Sequence, residues 1–128
     1  MSKRFGTIIG TALAAATLTI LPATSATAAE ATYSLSVQQN DTGAVSTMGL
    51  TCQPPSGHPH AQQACSQLNR ADGFIENIPA ASGVCPLIYA PVTVRATGTW
   101  QGEPRTYEET FSNSCVANLE TGGYLFNF

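Results

Sequence analysis

An α+β fold, an antiparallel sheet with a helix packed on one face, follows from three features of this sequence. Two regions, 33–52 and 92–111, alternate apolar and polar residues in the manner of hairpin strands. One stretch, 61–70, repeats small apolar residues at helical spacing, and four cysteines are spread through a length of chain that makes one domain.

The first 28 residues read as a secretory signal. Lys3 and Arg4 form a basic start, an apolar stretch runs from Ile8 to Leu21, and Pro22 leads into Ala26-Thr27-Ala28, an A-x-A cleavage pattern. Cleavage is expected after Ala28, or one residue later after Ala29. The apolar core of about 14 residues falls short of the roughly 20 a membrane-spanning helix needs. Residues 29–128 then form a single secreted domain, and no repeat, linker or second domain interrupts it.

Within that domain Tyr33, Leu35 and Val37 alternate with Ser34 and Ser36, the mark of a half-buried strand. Asn40-Asp41-Thr42-Gly43 turns the chain, and although Asn40-Asp41-Thr42 also fits a glycosylation acceptor, the turn explains it. A second strand runs from Val45 to Cys52. Gln53 to His60 is rich in Pro and Gly and reads as irregular. Ala61, Ala64, Cys65, Leu68 and Ala71 recur at helical spacing on one face, so a helix is expected from about Ala61 to Arg70, ending before Gly73. Phe74, Ile75 and Ile78 form a short apolar segment closed by Pro79, and Ala80 to Gly83 make a small-residue approach to a loop. Val92, Val94, Ala96, Gly98 and Trp100 alternate with Thr93, Arg95, Thr97 and Thr99 as the clearest strand. Gln101 to Pro104 turns the chain into a partner strand, Arg105 to Phe111, and Tyr124, Phe126 and Phe128 alternate as a short terminal strand.

Charge removes whole classes of function. Loss of the signal takes away Lys3, the only lysine, and leaves Arg70, Arg95 and Arg105 against eight acidic residues, a net charge near −5. Nucleic-acid binding relies on clustered Lys and Arg to displace counterions, so no such partner is expected, and no membrane partner either. A serine hydrolase of the α/β type needs a G-x-S-x-G elbow, which is absent. Its base would have to be His58 or His60, which flank Pro59 in the Pro-rich segment and read as solvated surface side chains. As an H-x-H pair they lack a nearby Cys or carboxylate to complete a metal site, and the four cysteines contain no C-x-x-C pair. In an oxidising compartment the thiols pair instead, leaving none for catalysis. Three pairings are possible. The sequential one, Cys52 with Cys65 and Cys85 with Cys115, closes two loops worth about 3 to 4 kcal/mol each in the chain-entropy treatment, but spacing alone does not choose it. Glu108 and Glu109 are neighbours on a strand, point to opposite faces and cannot flank one bond. Trp100 and Tyr107 read as packing residues rather than a ligand platform. No cofactor, no metal and no enzymatic activity are expected.

What remains is Val84-Cys85-Pro86-Leu87-Ile88-Tyr89. A half-cystine and a proline stiffen the backbone immediately before two bulky aliphatic residues. Such a pre-ordered segment enters a protease cleft without the ordering cost that a flexible substrate bears. The plainer reading of the same residues is a disulfide-anchored surface loop whose Leu87 and Ile88 pack inward.

Several segments together resemble the Streptomyces subtilisin inhibitor family of secreted serine protease inhibitors. They are Leu50-Thr51-Cys52, Gly57-His58-Pro59, Cys85 to Pro91, Gly98-Thr99-Trp100-Gln101-Gly102 and Phe111-Ser112-Asn113-Ser114-Cys115, in order and with all four cysteines. The resemblance implies a five-stranded antiparallel sheet with two helices and sequential disulfides. It also implies a reactive bond between Leu87 and Ile88, two residues after the third cysteine. Leu87 would fill the primary pocket of a subtilisin-like enzyme first and a chymotrypsin-like one second. Val84, Cys85, Pro86 and Tyr89 would contact the protease from the loop, and Asn113 would support it by hydrogen bonds. Homodimers joined through sheet faces are typical of the family, and Ser34 and Ser36 make that face more polar here. The rival expectation is a secreted, disulfide-stapled binding or structural module with no protease target.

Overall fold

The computed structural model describes residues 10–22 and 31–128. Residues 10–22 carry no helix or strand, and among the described residues no helix is long and apolar enough to cross a membrane. The basic start at Lys3 and Arg4 and the expected cleavage points after Ala28 or Ala29 lie outside the described residues.

A five-stranded antiparallel sheet forms the body of the domain, as expected. Its strands are β1 (Thr32–Gln39), β2 (Val45–Cys52), β3 (Pro55–Ser56), β4 (Val92–Trp100) and β5 (Glu103–Phe111), in the spatial order β3-β2-β1-β4-β5. The alternation in β1 sets the register. Tyr33 lies opposite Leu50 and Gly98, and Leu35 opposite Met48 and Ala96, so these residues share the core face. Ser34 and Ser36 look the other way. Leu35, Leu50, Val92 and Val94 are fully buried, each removal from water contributing about 1.5–3 kcal/mol.

Helix α1 (Ala61–Arg70) covers the β2–β3 half of the core face, burying Ala61, Ala64, Cys65 and Leu68 along the predicted stripe. A disulfide between Cys52 and Cys65 ties it to β2. The Tyr33 hydroxyl, which donates to the Gly73 carbonyl at 2.6 Å, fastens the end of α1 to the central strand. Burial pushes the ionisation of this phenol up to about 12, so it remains a donor throughout the physiological range. Helix α2 (Ser114–Glu120) lies against β4 and β5.

Three expectations about the strands need correction. Tyr124, Phe126 and Phe128 do not form a strand. Gly122 and Gly123, both with φ near +90°, stop α2 and start a run of turns through residue 126. There the adjacent residues Leu125 and Phe126 are both buried in the turns. The fifth strand is instead the two-residue β3, inside the segment expected to be irregular. β5 also begins two residues early, at Glu103, because the turn needs just Gln101 and Gly102, both at positive φ. Pro104 is tolerated there since β5 is an edge strand.

Candidate functional site

Residues 80–91 cross from the 3-10 turn Ile75–Asn77 to β4 with no helix or strand of their own. Ordering such a segment costs about 1–2 kcal/mol per residue, so it needs external ties. The ties come from one short stretch, Ser112 to Leu119. On the incoming leg, Ala81 N–H donates to the Leu119 carbonyl at 2.8 Å; on the outgoing leg, Ala90 N–H donates to Ser112 at 2.9 Å. Between them Cys85 is bridged to Cys115, with the Cα atoms 5.7 Å apart. The Asn113 side-chain amide donates to the Pro86 carbonyl at 3.2 Å and to the Ile88 carbonyl at 2.8 Å. Its Oδ1 accepts from Val116 N–H at 2.9 Å and so caps α2 at the same time. The base of the loop meets the β1–β2 turn, where Asn40 N–H donates to Pro91 at 2.9 Å.

These ties hold the backbone and leave the side chains in water. Val84 is 97% exposed, Leu87 105%, Ile88 59% and Tyr89 84%. The plainer reading, in which Leu87 and Ile88 pack inward, is therefore not what the fold does. A hollow of about 280 Å³ lies beneath them, lined by the loop together with Ser112, Asn113 and Val116. Exposed apolar residues scattered singly need no explanation. Four within six residues on a braced loop mark a surface built to meet another molecule. The segment from Ala80 to Pro91 carries no charged side chain.

The other candidates resolve as structure. Trp100 is 3% exposed in the core, and Tyr107 is half-buried, stacked near Phe126 and donating to Glu109 at 2.7 Å. Burial and that carboxylate raise the Tyr107 ionisation well above the ordinary phenol value. Glu108 pairs with Arg95 across the outer face at 3.2 Å, an exposed contact worth about 0–1 kcal/mol. His58, expected to be a solvated surface side chain, is buried at 9% exposure. Its Nε2 donates to the Leu125 carbonyl and its Nδ1 accepts from His60 N–H, both at 2.9 Å. Its role is to hold the C-terminal turns against the Pro-rich segment. Burial lowers its pKa below the ordinary imidazole value, against the opposing hydrogen bond to Leu125, and His60 lowers it further.

Reading the sequence missed Ser112 and Leu119 as loop ties and placed no helix over residues 114–120 from periodicity. At seven residues α2 is too short for a periodic pattern, but Asn113 before Ser114 is an N-cap signature that marks its start.

Comparison with known proteins fits this geometry. The sequence model of the subtilisin inhibitor-like family matches residues 23–113. A candidate serine protease inhibitor of Streptomyces avermitilis is 51% identical over 73 residues, 57% of this chain but only half of its own length. Subtilisin inhibitor-like protein 2 of Streptomyces rochei is 45% identical over 82 residues, covering 62% of this chain and 72% of its own. Among solved structures, sermetstatin of Streptomyces caespitosus, crystallised in complex with Bacillus licheniformis subtilisin, superposes with a TM-score of 0.61 at 31% identity. That match covers 77% of this chain and 99% of sermetstatin.

Proposed function

Because this chain belongs to the subtilisin inhibitor-like family, we propose that it is a secreted, substrate-like inhibitor of subtilisin-like serine proteases, blocking an enzyme rather than acting as one. Leu87–Ile88 is the reactive bond, and chymotrypsin-like enzymes, which also have an apolar primary pocket, are secondary targets. The observation that carries this reading is the pairing of a fully exposed Leu87 with a backbone tied on both sides of it. A sermetstatin complex with subtilisin supports the choice of target class.

The geometry suggests how such a loop inhibits. Residues 84–89 lie extended in the cleft and pair with it as an added strand, Leu87 fills the primary pocket, and the protease serine faces the Leu87 carbonyl. Should the serine attack, the Leu87–Ile88 bond breaks, Leu87 becomes an acyl group on the enzyme, and the amine of Ile88 is released. That amine cannot leave, since Asn113 holds the Ile88 carbonyl and Ser112 holds Ala90. Attack by the retained amine re-forms the bond faster than water clears the acyl group, an effective-concentration advantage. Turnover stalls and the complex persists.

Dimerisation through the outer face of the sheet accompanies this reading. Ser34, Ser36, Thr97 and the Arg95–Glu108 pair line that face, so it is more polar than a sheet-face dimer of the family typically uses. Titrating subtilisin with the secreted domain tests the proposal. Stoichiometric loss of activity with Leu87–Ile88 largely intact is the expected result, and full activity at excess protein would leave the rival binding-module reading.

A further inference from the structure

We infer that Thr93 and Asn40 are positioning residues for the outgoing leg of the loop: through the β1–β2 turn they hold Pro91, and so set how readily the Ile88 amine, once freed by cleavage, closes the Leu87–Ile88 bond again. The inference rests on the inhibitory reading of the loop.

The outgoing leg is tied on two sides. Ala90 N–H donates to the Ser112 carbonyl just past the end of β5, and the Pro91 carbonyl accepts from Asn40 N–H just past the end of β1, both at 2.9 Å. A single tie would leave the leg free to swing about it, whereas two, from the strands on either side of β4, fix its direction. Asn40 is in turn held by its side chain, because the Thr93 hydroxyl donates to its Oδ1 at 3.1 Å. A hydroxyl has one hydrogen, so in the 2.8 Å contact between Thr93 and Thr110 it is Thr110 that donates. Thr93 is 6% exposed and lies opposite Thr110 in the sheet, so this relay is anchored in β4 and β5 rather than in the turn.

The turn itself is closed by Gly43, whose φ of +73° suits a glycine and whose N–H donates to the Gln39 carbonyl at 2.7 Å. The asparagine of Asn40-Asp41-Thr42 is thereby given work at both ends, its side chain on Thr93 and its N–H on Pro91. Religation needs that work. The Ile88 amine attacks the Leu87 acyl carbon, the ester to the protease serine breaks, and the proton the amine gives up returns to the serine oxygen. The effective concentration of the amine depends on how narrowly residues 88–91 are held. Asn113 holds Ile88, Ser112 holds Ala90, and the Asn40 tie to Pro91 completes the set.

The cut domain stays one molecule through the Cys85–Cys115 bridge, so religation can be measured directly. Cut protein is incubated with subtilisin and the re-formed Leu87–Ile88 bond followed by mass spectrometry, with melting curves to confirm folding. Thr93→Val removes the hydroxyl and should slow religation about 2- to 10-fold, and Thr93→Ser, which returns it, should recover most of that loss. Asn40→Ala, at an exposed position, should slow it within the same range. The double variant Asn40→Ala with Thr93→Val should be no slower than the slower single one, because both break one chain of bonds. Religation at the wild-type rate in both single variants, no recovery in Thr93→Ser, or losses that add in the double variant would overturn the inference. A wild-type domain that does not inhibit subtilisin at all would sink the functional reading instead, so the two failures are distinguishable.

Discussion

Asn113 donates from one side-chain nitrogen to the carbonyls of Pro86 and Ile88, 3.2 and 2.8 Å away, and so holds the backbone on both sides of Leu87. Its oxygen meanwhile caps α2. Asn113→Asp separates the two duties, since a carboxylate still caps but can no longer donate. With two bonds lost, at about 0.5–1.5 kcal/mol each, the inhibition constant should rise by about 5- to 150-fold. The melting temperature should fall as well, because the buried carboxylate faces those two carbonyl oxygens even though it still caps the helix. Inhibition kinetics with calorimetry check this, and an unchanged constant would mean that the amide does not brace the loop.

Leu87 is fully exposed and uncharged, so the primary pocket it enters sets the target. Leu87→Lys should weaken inhibition of subtilisin and create inhibition of trypsin, whose pocket carries a buried carboxylate. Parallel titration of the two enzymes measures the switch, and constants unchanged for both would remove Leu87 from the contact.

The Cys85–Cys115 bridge spans 30 residues of sequence, which the chain-entropy treatment values at about 4 kcal/mol. Replacing both cysteines by serine should lower the melting temperature and turn the inhibitor into a slow substrate, because the leg before Leu87 then drifts and religation fails. Mass spectrometry of the variant incubated with subtilisin should show the Leu87–Ile88 bond cut and the fragments accumulating. An intact bond with full inhibition would show that Asn113 and Leu119 suffice.

His58 sets a pH dependence. Both ring nitrogens are engaged in the neutral form, and protonating Nδ1 would break its bond to His60 N–H. The unfolded chain takes up this proton near the ordinary value of about 6.5, whereas the folded form resists it to lower pH. The stability it contributes is therefore complete above that value and is lost as pH falls from there toward the depressed folded value. Denaturant unfolding at pH 7.5 and 5.5 should show a drop that His58→Gln reduces, and a drop of the same size in both proteins would exclude this histidine as its source.

Much of this protein is readable from local pattern. The strands 32–39, 45–52 and 92–100 follow from alternation, α1 from the spacing of Ala61, Ala64, Cys65 and Leu68, and the loop from a half-cystine and a proline set before Leu87. These features depend on residues close in sequence, whose periodicity states which face is buried. What the tertiary structure alone decided depends on residues far apart. Tyr124, Phe126 and Phe128 alternate like a strand, but two glycines turn the chain before a partner can be reached, and Pro55–Ser56 takes the sheet edge instead. His58 looks like a surface histidine until Leu125, distant in sequence, offers its carbonyl. The direction of the Asn113 amide and the bond from Ala81 N–H to the Leu119 carbonyl are likewise products of packing. Such contacts form only once the sheet and α2 are in place, and no spacing within the chain encodes where a side chain from elsewhere will come to rest.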